Sequence, residues 1–293
     1  MKFIHNLIHI YPQPKTDFLY PHFIILKFFR MKKSGFLLCT GIFLMISCNQ
    51  QNSSKTKYNE LLSDNMKGDI QLIEETPYQV DSSGTATMMD SCCITLTEFD
   101  VNGNTLKNSE KESSGTVKSA SVFTRHENGL FASVLNTEKG KTKNSFKLSF
   151  DESGSWNTGE AFDSSGKLEF YYDGIGHNEF GQVTSWIQHK PDSSLGVSAN
   201  LKYNKNLQTE MTMKDSSGKV MNTTTSKYND QGEQIETTNV NVGKDSTTTK
   251  TTTFKYDTHD EQGNWTQRTT FDEKGKATKV VKRVYTYRVK KAG

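Results

Sequence analysis

Proline is almost missing from most of this chain. Of its five prolines, Pro12, Pro14 and Pro21 lie in the first stretch, and only Pro77 and Pro191 follow. That scarcity suits a backbone that spends its N–H donors in sheet ladders. Cysteine is scarce too. Beyond Cys39 and Cys48 there is only the adjacent pair Cys92-Cys93. Neighbours on a strand point to opposite faces, and a bridge between them closes a strained small ring. A disulfide framework is excluded, and two ordinary thiols are expected. Apolar residues make up 33% of the chain, against ~45–50% in an average globular domain, glycine included. No thick two-sided core can be filled from that supply. Charge of one sign is also lacking. The chain holds 36 basic and 33 acidic residues, giving +3 overall. Residues 1–47 contribute Lys2, Lys15, Lys27, Arg30, Lys32 and Lys33 against Asp17 alone, so the remainder is slightly acidic. A nucleic-acid binder needs the opposite sign gathered on one face.

Long apolar runs are confined to the N-terminal region. Residues 1–30 are apolar and aromatic without a clean period, and they precede what reads as a complete start of its own. Met31-Lys32-Lys33 is a basic opening, Phe36 to Ile46 an apolar run, and Ser47 the small residue before Cys48. That is the layout of a secretory signal, and the run is too short to span a bilayer. A membrane helix over Phe18 to Ile46 would bury Lys27, Arg30, Lys32 and Lys33, each costing ~2.5–3.5 kcal/mol near the bilayer centre. The expectation is therefore a spurious extension over 1–30, a signal peptide over 31–47, and a polar tether over 48–67. A β-domain occupies 68–293.

What fills the β-domain is repetition. Gly103 and Gly154 are 51 residues apart, as are Gly115 and Gly166, while Gly166 and Gly218 are 52 apart. Gly129, Gly181 and Gly232 keep the same register, and Gly218 to Gly275 stretches to 57. With about four turns in each period, the unit has roughly four strands. Between turns the residues alternate. Phe146, Leu148 and Phe150 face one way and Lys147 and Ser149 the other; Leu168, Phe170 and Tyr172 repeat the pattern, as do Met211 and Met213. Period two with one apolar face means antiparallel strands half exposed to water. Ile70–Tyr78 and Cys93–Phe99, flanking Ser82-Ser83-Gly84, read as an opening hairpin.

Leu44-Met45-Ile46-Ser47-Cys48 resembles a bacterial lipobox, with Met45 departing from the usual Leu. The resemblance implies acylation of Cys48. No acidic cluster follows Cys48, which leans to the periplasmic side. The turns Phe99-Asp100, Phe150-Asp151, Phe162-Asp163, Tyr172-Asp173, Tyr256-Asp257 and Phe271-Asp272, with Gly263-Asn264-Trp265, resemble RHS/YD-type repeats. More closely, Lys67 to Tyr287 looks like the small RHS-repeat-like lipoproteins of the Gram-negative envelope. Large members of that wider family form hollow β-shells around toxin domains. Too few repeats are present here to enclose a cargo. The fold expected is all-β, an elongated and twisted antiparallel meander of these repeats.

No catalytic, cofactor-binding or metal constellation stands out. His126, His177, His189 and His259 are scattered, and His259-Asp260-Glu261 falls in the turn before Gly263. Asp100, Asp151, Asp163, Asp215 and Asp272 open turns, where the carboxylate accepts backbone hydrogen bonds. The Thr-rich segment Ser246–Thr253 reads as an exposed strand, and Asp245-Ser246-Thr247 also resembles the three-residue O-glycosylation signal of some envelope lipoproteins. Lys279 to Lys291 alternates Val and Tyr with Lys and Arg. Guarding an edge strand is its expected role, with contact to anionic lipid the alternative. The trios Trp156, Leu207, Trp265 and Phe162, Met213, Phe271 hold matching repeat positions, either as core rungs or as an exposed ladder for glycans. The function expected is a non-catalytic envelope lipoprotein, outer-membrane and periplasm-facing. Its partners are the membrane through Cys48 and a protein or glycan. An enzyme acting on an envelope polymer is the alternative, because odd insertions occur near Asp173–Phe180 and Ser246–Thr253.

Overall fold

A computed structural model describes residue 61 and residues 65–89, 93–126, 130–152, 154–179 and 181–289. The leader, Cys48, the start of the tether, Cys92 and Gly129 lie outside the described residues. The strands are β1 (Ile70–Val80), β2 (Ala86–Met88), β3 (Ile94–Phe99), β4 (Thr105–Lys111), β5 (Val117–Arg125), β6 (Phe131–Glu138), β7 (Lys141–Phe150) and β8 (Trp156–Asp163). They continue with β9 (Leu168–His177), β10 (Val183–His189), β11 (Leu195–Asn204), β12 (Leu207–Lys214), β13 (Val220–Tyr228), β14 (Gln234–Val242), β15 (Thr247–His259), β16 (Trp265–Phe271) and β17 (Ala277–Tyr287).

From β3 onward each strand pairs antiparallel with the next, and the sheet then closes on itself. One edge of β1 runs antiparallel to β17, with Ile73 opposite Tyr285 and Gln79 opposite Lys279. The other edge pairs with β3 through Leu72–Glu75 and with the short β2 through Tyr78–Val80. β2 and β3 therefore share one place in the ring, and the result is a closed barrel of 16 strands. Antiparallel all-β architecture agrees with the sequence. The elongated meander does not. A curling sheet with one apolar face keeps two open edges unless its ends meet, and here β17 completes the ring. Lys279–Tyr287 is thus the closing strand and not a guarded edge.

The turns show why the glycine period is so regular. At Asp100, the backbone N–H donates to the Asn104 carbonyl at 2.8 Å, and Gly103 donates back to the Asp100 carbonyl at 3.0 Å. Gly103 sits at φ 79°. This is a three-residue hairpin loop, a type I turn followed by a left-handed residue. The Asp100 carboxylate accepts the N–H groups of Asn102 and Asn104 at 2.8 and 2.9 Å. The same bonds recur at Asp163, Asp215, Asp260 and Asp272. Tyr172-Asp173 and Tyr256-Asp257 are exceptions to the expected turns. Both lie inside strands, in β9 and β15.

A second device follows from these loops. Each loop starts its next strand with a bulge, which leaves a carbonyl in need of a donor. Tyrosines on the adjoining strand supply it. Tyr203, Tyr228, Tyr256 and Tyr285 donate to the carbonyls of Val183, Gln208, Gln234 and Trp265 at 2.8–3.0 Å.

Candidate functional site

Most buried residues lie on one face of their strands, which in a closed sheet is the interior. Two walls line it. From β6 to β12 the interior is apolar and packed: Phe146, Trp156, Tyr172, Trp186, Val197 and Leu201 belong to one cluster with Met211. Phe146 and Trp186 meet Tyr172 edge to face, with centroids 5.4 and 6.0 Å away. The outer face of these and the other strands carries charge instead. Lys202–Glu210 and Lys227–Glu236 pair across strands at 2.9 and 2.8 Å, and Lys282 lies over Tyr78 at 5.0 Å. A lysine on a lipid-facing strand costs ~2–4 kcal/mol at the bilayer midplane. The outer wall is therefore built to face water.

From β13 round to β5 the interior is polar. Asn222 donates to Asn241 at 2.7 Å and Thr224 to Asn239 at 2.8 Å, forming one row across β13 and β14. Ser121 donates to Asn136, which donates to Asn144, at 2.6 and 2.7 Å, forming a second that runs from β5 onto β6 and β7 of the apolar wall. Between these rows, β15 to β1 brings cations inside. Glu75 accepts from Arg283 at 2.5 Å, both nearly inaccessible, across 208 residues of sequence. Burial pulls the Arg283 guanidinium down, and Glu75 more than offsets it, so its affinity for the proton ends above the ordinary value. Arg283 also covers Trp265 at 3.7 Å, and Arg268 lies 5.0 Å from both Trp265 and Phe254. Arg268 is pushed down by burial. Lys279, opposite Gln79 and Thr270, is buried, and burial lowers it to about 7.

The two ends of the barrel differ. β1 begins beside the end of β17, so the chain enters and leaves at one end. There a strap containing Leu61 and Asn65–Lys67 crosses the rim. Leu61 donates to the Gly103 carbonyl at 3.2 Å, and Asn65 donates to the Gln231 carbonyl. Lys67 and Asn264 exchange hydrogen bonds at 2.8 and 2.7 Å. Leu61 and Met66 are buried with Ile70, Ile73 and Phe99 beneath them. At the far end the turns are serine-bearing, as at Asp81–Gly84, Asp163–Gly166 and Asp215–Gly218, and Ser246 lies there, exposed, accepting from Gly243 at 2.8 Å. The four-strand period is what sends like turns to like ends.

The histidines do not converge. His126 lies edge-on to Phe150, and His177, lowered by burial, ends β9. His259 contacts Glu233 at 2.6 Å on the strap-end rim. His189 sits on the outer face, 3.0 Å from Asp173 and stacked on Tyr171. Among the described residues no three such groups gather to hold a metal. Cys93 is buried. The first aromatic trio holds at the strap end, where Trp156 is buried and Leu207 and Trp265 are half-buried. The second does not share a face. The loop before β12 has two residues where those before β8 and β16 have three, which shifts Met213 inward while Phe162 and Phe271 face out. Sequence reasoning missed the interior cations altogether. The signal was the alternation Lys279, Val281, Arg283, Tyr285, which places all four on the inner face.

No family model and no curated protein matches the chain. Among solved structures it is similar to a porin-like protein from Bacteroides uniformis ATCC 8492. The TM-score is 0.51 at 11% identity, over 75% of this chain and 98% of that one. That likeness concerns the fold, a closed antiparallel barrel. A porin-like protein from Bacteroides vulgatus ATCC 8482 follows at TM-score 0.34 and 11% identity, covering 74% of this chain and 99% of that one. A putative outer membrane lipoprotein-sorting protein domain from Vibrio parahaemolyticus gives TM-score 0.24 and 11% identity, covering 76% of this chain and 88% of that one.

Proposed function

We propose that this chain is a lipid-anchored envelope protein whose barrel binds a ligand or partner without catalysis. It would be an outer-membrane lipoprotein facing the periplasm, with a signal over 31–47 and acylation at Cys48. The observation that carries this reading is the strap. The chain reaches the barrel at a single end and is fastened there by Leu61, Asn65 and Lys67. The residues between Cys48 and Leu61 span at most about 45 Å when extended. An anchor at Cys48 would therefore hold the strapped end toward the membrane and the serine-bearing end away from it. A water-facing outer wall suits such tethering, since the barrel need not enter the bilayer. Stable attachment takes more than one acyl chain, at ~0.8 kcal/mol per buried methylene.

The RHS/YD-like reading of the repeats belongs here as well, supported by the recurrent Asp–Gly loops. Glycan addition at Ser246 is part of this reading, supported by its exposure on the loop before β15. An enzyme reading has one observation in its favour, the Asp173–His189 contact. It lacks a nucleophile: Nδ1 of His189 is buried without a partner, and Ser185 donates to the Gly174 carbonyl at 3.3 Å. Mass spectrometry of the protein from membranes tests the anchor. An acylated Cys48 at the N-terminus, with no peptide from residues 1–47, is expected. An unmodified Cys48 thiol, or peptides from 1–30, overturns it.

A further inference from the structure

Along the polar wall, accessibility rises toward the end away from the strap. On β1 the inner face passes from buried Pro77 to exposed Gln79, and on β14 from buried Asn239 to exposed Asn241. On β15 it passes from buried Thr252 through half-buried Lys250 to exposed Thr248. At the strap end the same face stays sealed, with Ile70 and Ile73 inaccessible under Leu61 and Met66. The inner face is thus more accessible at one end than at the other. At the accessible end it carries Lys250 near the mouth, opposite Asn239, and Lys279 deeper on β17.

Asn239 and Thr237 are each 4% exposed, and Nδ2 of Asn239 and Oγ1 of Thr237 have no hydrogen-bond partner. Buried polar groups are normally satisfied, so these two point to something that enters. Amides and hydroxyls both donate and accept, which matches vicinal sugar hydroxyls better than it matches a bare anion. The lysines select charge. From this arrangement we infer that the polar wall of the lumen binds an acidic oligosaccharide, admitted through the end opposite the strap. This deepens the binding role proposed above and rests on it. Lys279, lowered to about 7 by burial, would be held as the ammonium by a carboxylate brought to it.

Isothermal titration of the full chain in detergent tests this, with tetragalacturonate, neutral maltotetraose and inorganic phosphate as probes. Tetragalacturonate should bind, and maltotetraose and phosphate each at least about tenfold more weakly, the worth of one charge-assisted contact. Lys250→Gln and Asn239→Ala should each weaken tetragalacturonate by about tenfold. Lys255→Gln, on the outer face of the same strand, should leave it unchanged. Lys250 is half-buried, so its substitution keeps the test meaningful if Asn239→Ala impairs folding. Absence of tetragalacturonate binding, equal binding of maltotetraose or phosphate, or equal losses in Lys250→Gln and Lys255→Gln would each overturn the inference. Failure of the anchor leaves these titrations standing, and failed titrations leave the anchor standing.

Discussion

The apolar and polar walls of the barrel are made from the same repeat and the same turns, yet they hold the ring together differently. From β6 to β12 the inner face is a packed core whose largest members, Trp156, Trp186, Tyr172 and Phe146, are all but inaccessible. Stability there comes from removing apolar surface from water. From β13 to β5 the inner face sets amides, hydroxyls and charge beside Ile70, Ile73, Phe99 and Val281, and its ordering depends also on hydrogen bonds and one buried ion pair. Such contacts add little net energy when made and cost much when one partner is lost. One wall is held by packing, and the other by directional polar contacts.

The contrast can be tested most strongly in the core. Phe146→Ala should destabilise the barrel by about 3–5 kcal/mol, read as a lower urea midpoint. An effect under about 1 kcal/mol would mean that the apolar wall is not packed as a core. Across the lumen, Glu75→Gln should cost nearly as much, ~3–5 kcal/mol, by leaving Arg283 charged and uncompensated. The double variant Glu75→Leu, Arg283→Met should recover most of that loss. If single and double variants unfold alike, the pair is not what closes β1 onto β17.

The smallest effect concerns Lys279 and depends on pH. Its folded-state value of about 7 lies below the ordinary 10.5. Between those values the unfolded chain holds a proton that the folded barrel lacks, so stability should rise with pH from 7 toward 10. Below 7 the cost of burying the ammonium is fully present. Lys279→Met should remove this dependence and raise the urea midpoint at neutral pH by an amount on the order of 1–3 kcal/mol. An unchanged pH profile in the variant would show that another group is responsible.

How much of this was legible depends on the range of the interaction. The loops were readable because a left-handed residue after a type I turn demands glycine, and the Asp that opens the turn is chosen by local bonds. The inner face of β7 was readable for the same reason, since Phe146, Leu148 and Phe150 alternate within a few residues. Closure was not, because Ile73 meets Tyr285 across the whole domain and no local pattern announces it. The cations were missed because Lys279 and Arg283 look like solvent residues until β1 supplies Glu75 and the barrel wall covers them. Met213 was misplaced by a loop one residue shorter, which changes the face of every residue after it. Tyr256-Asp257 shows the converse: a turn-like dipeptide lies inside a strand, where Tyr256 pairs with Arg268 of β16 and the ladder shifts register at Asp257.

The meeting of β1 with β17 also governs the order of events as the chain is made. β1 is the first of the described strands to be made, yet one of its edges must wait for the last eleven-residue strand. Until then both ends of the sheet are open templates for pairing with other chains. A pairing this distant in sequence is slow to find. Arg283 arrives on that same strand, so Glu75 has no partner until the ring shuts. The final strand thus completes both in one step: a chain cut short before residue 277 would present two raw edges and an orphaned carboxylate.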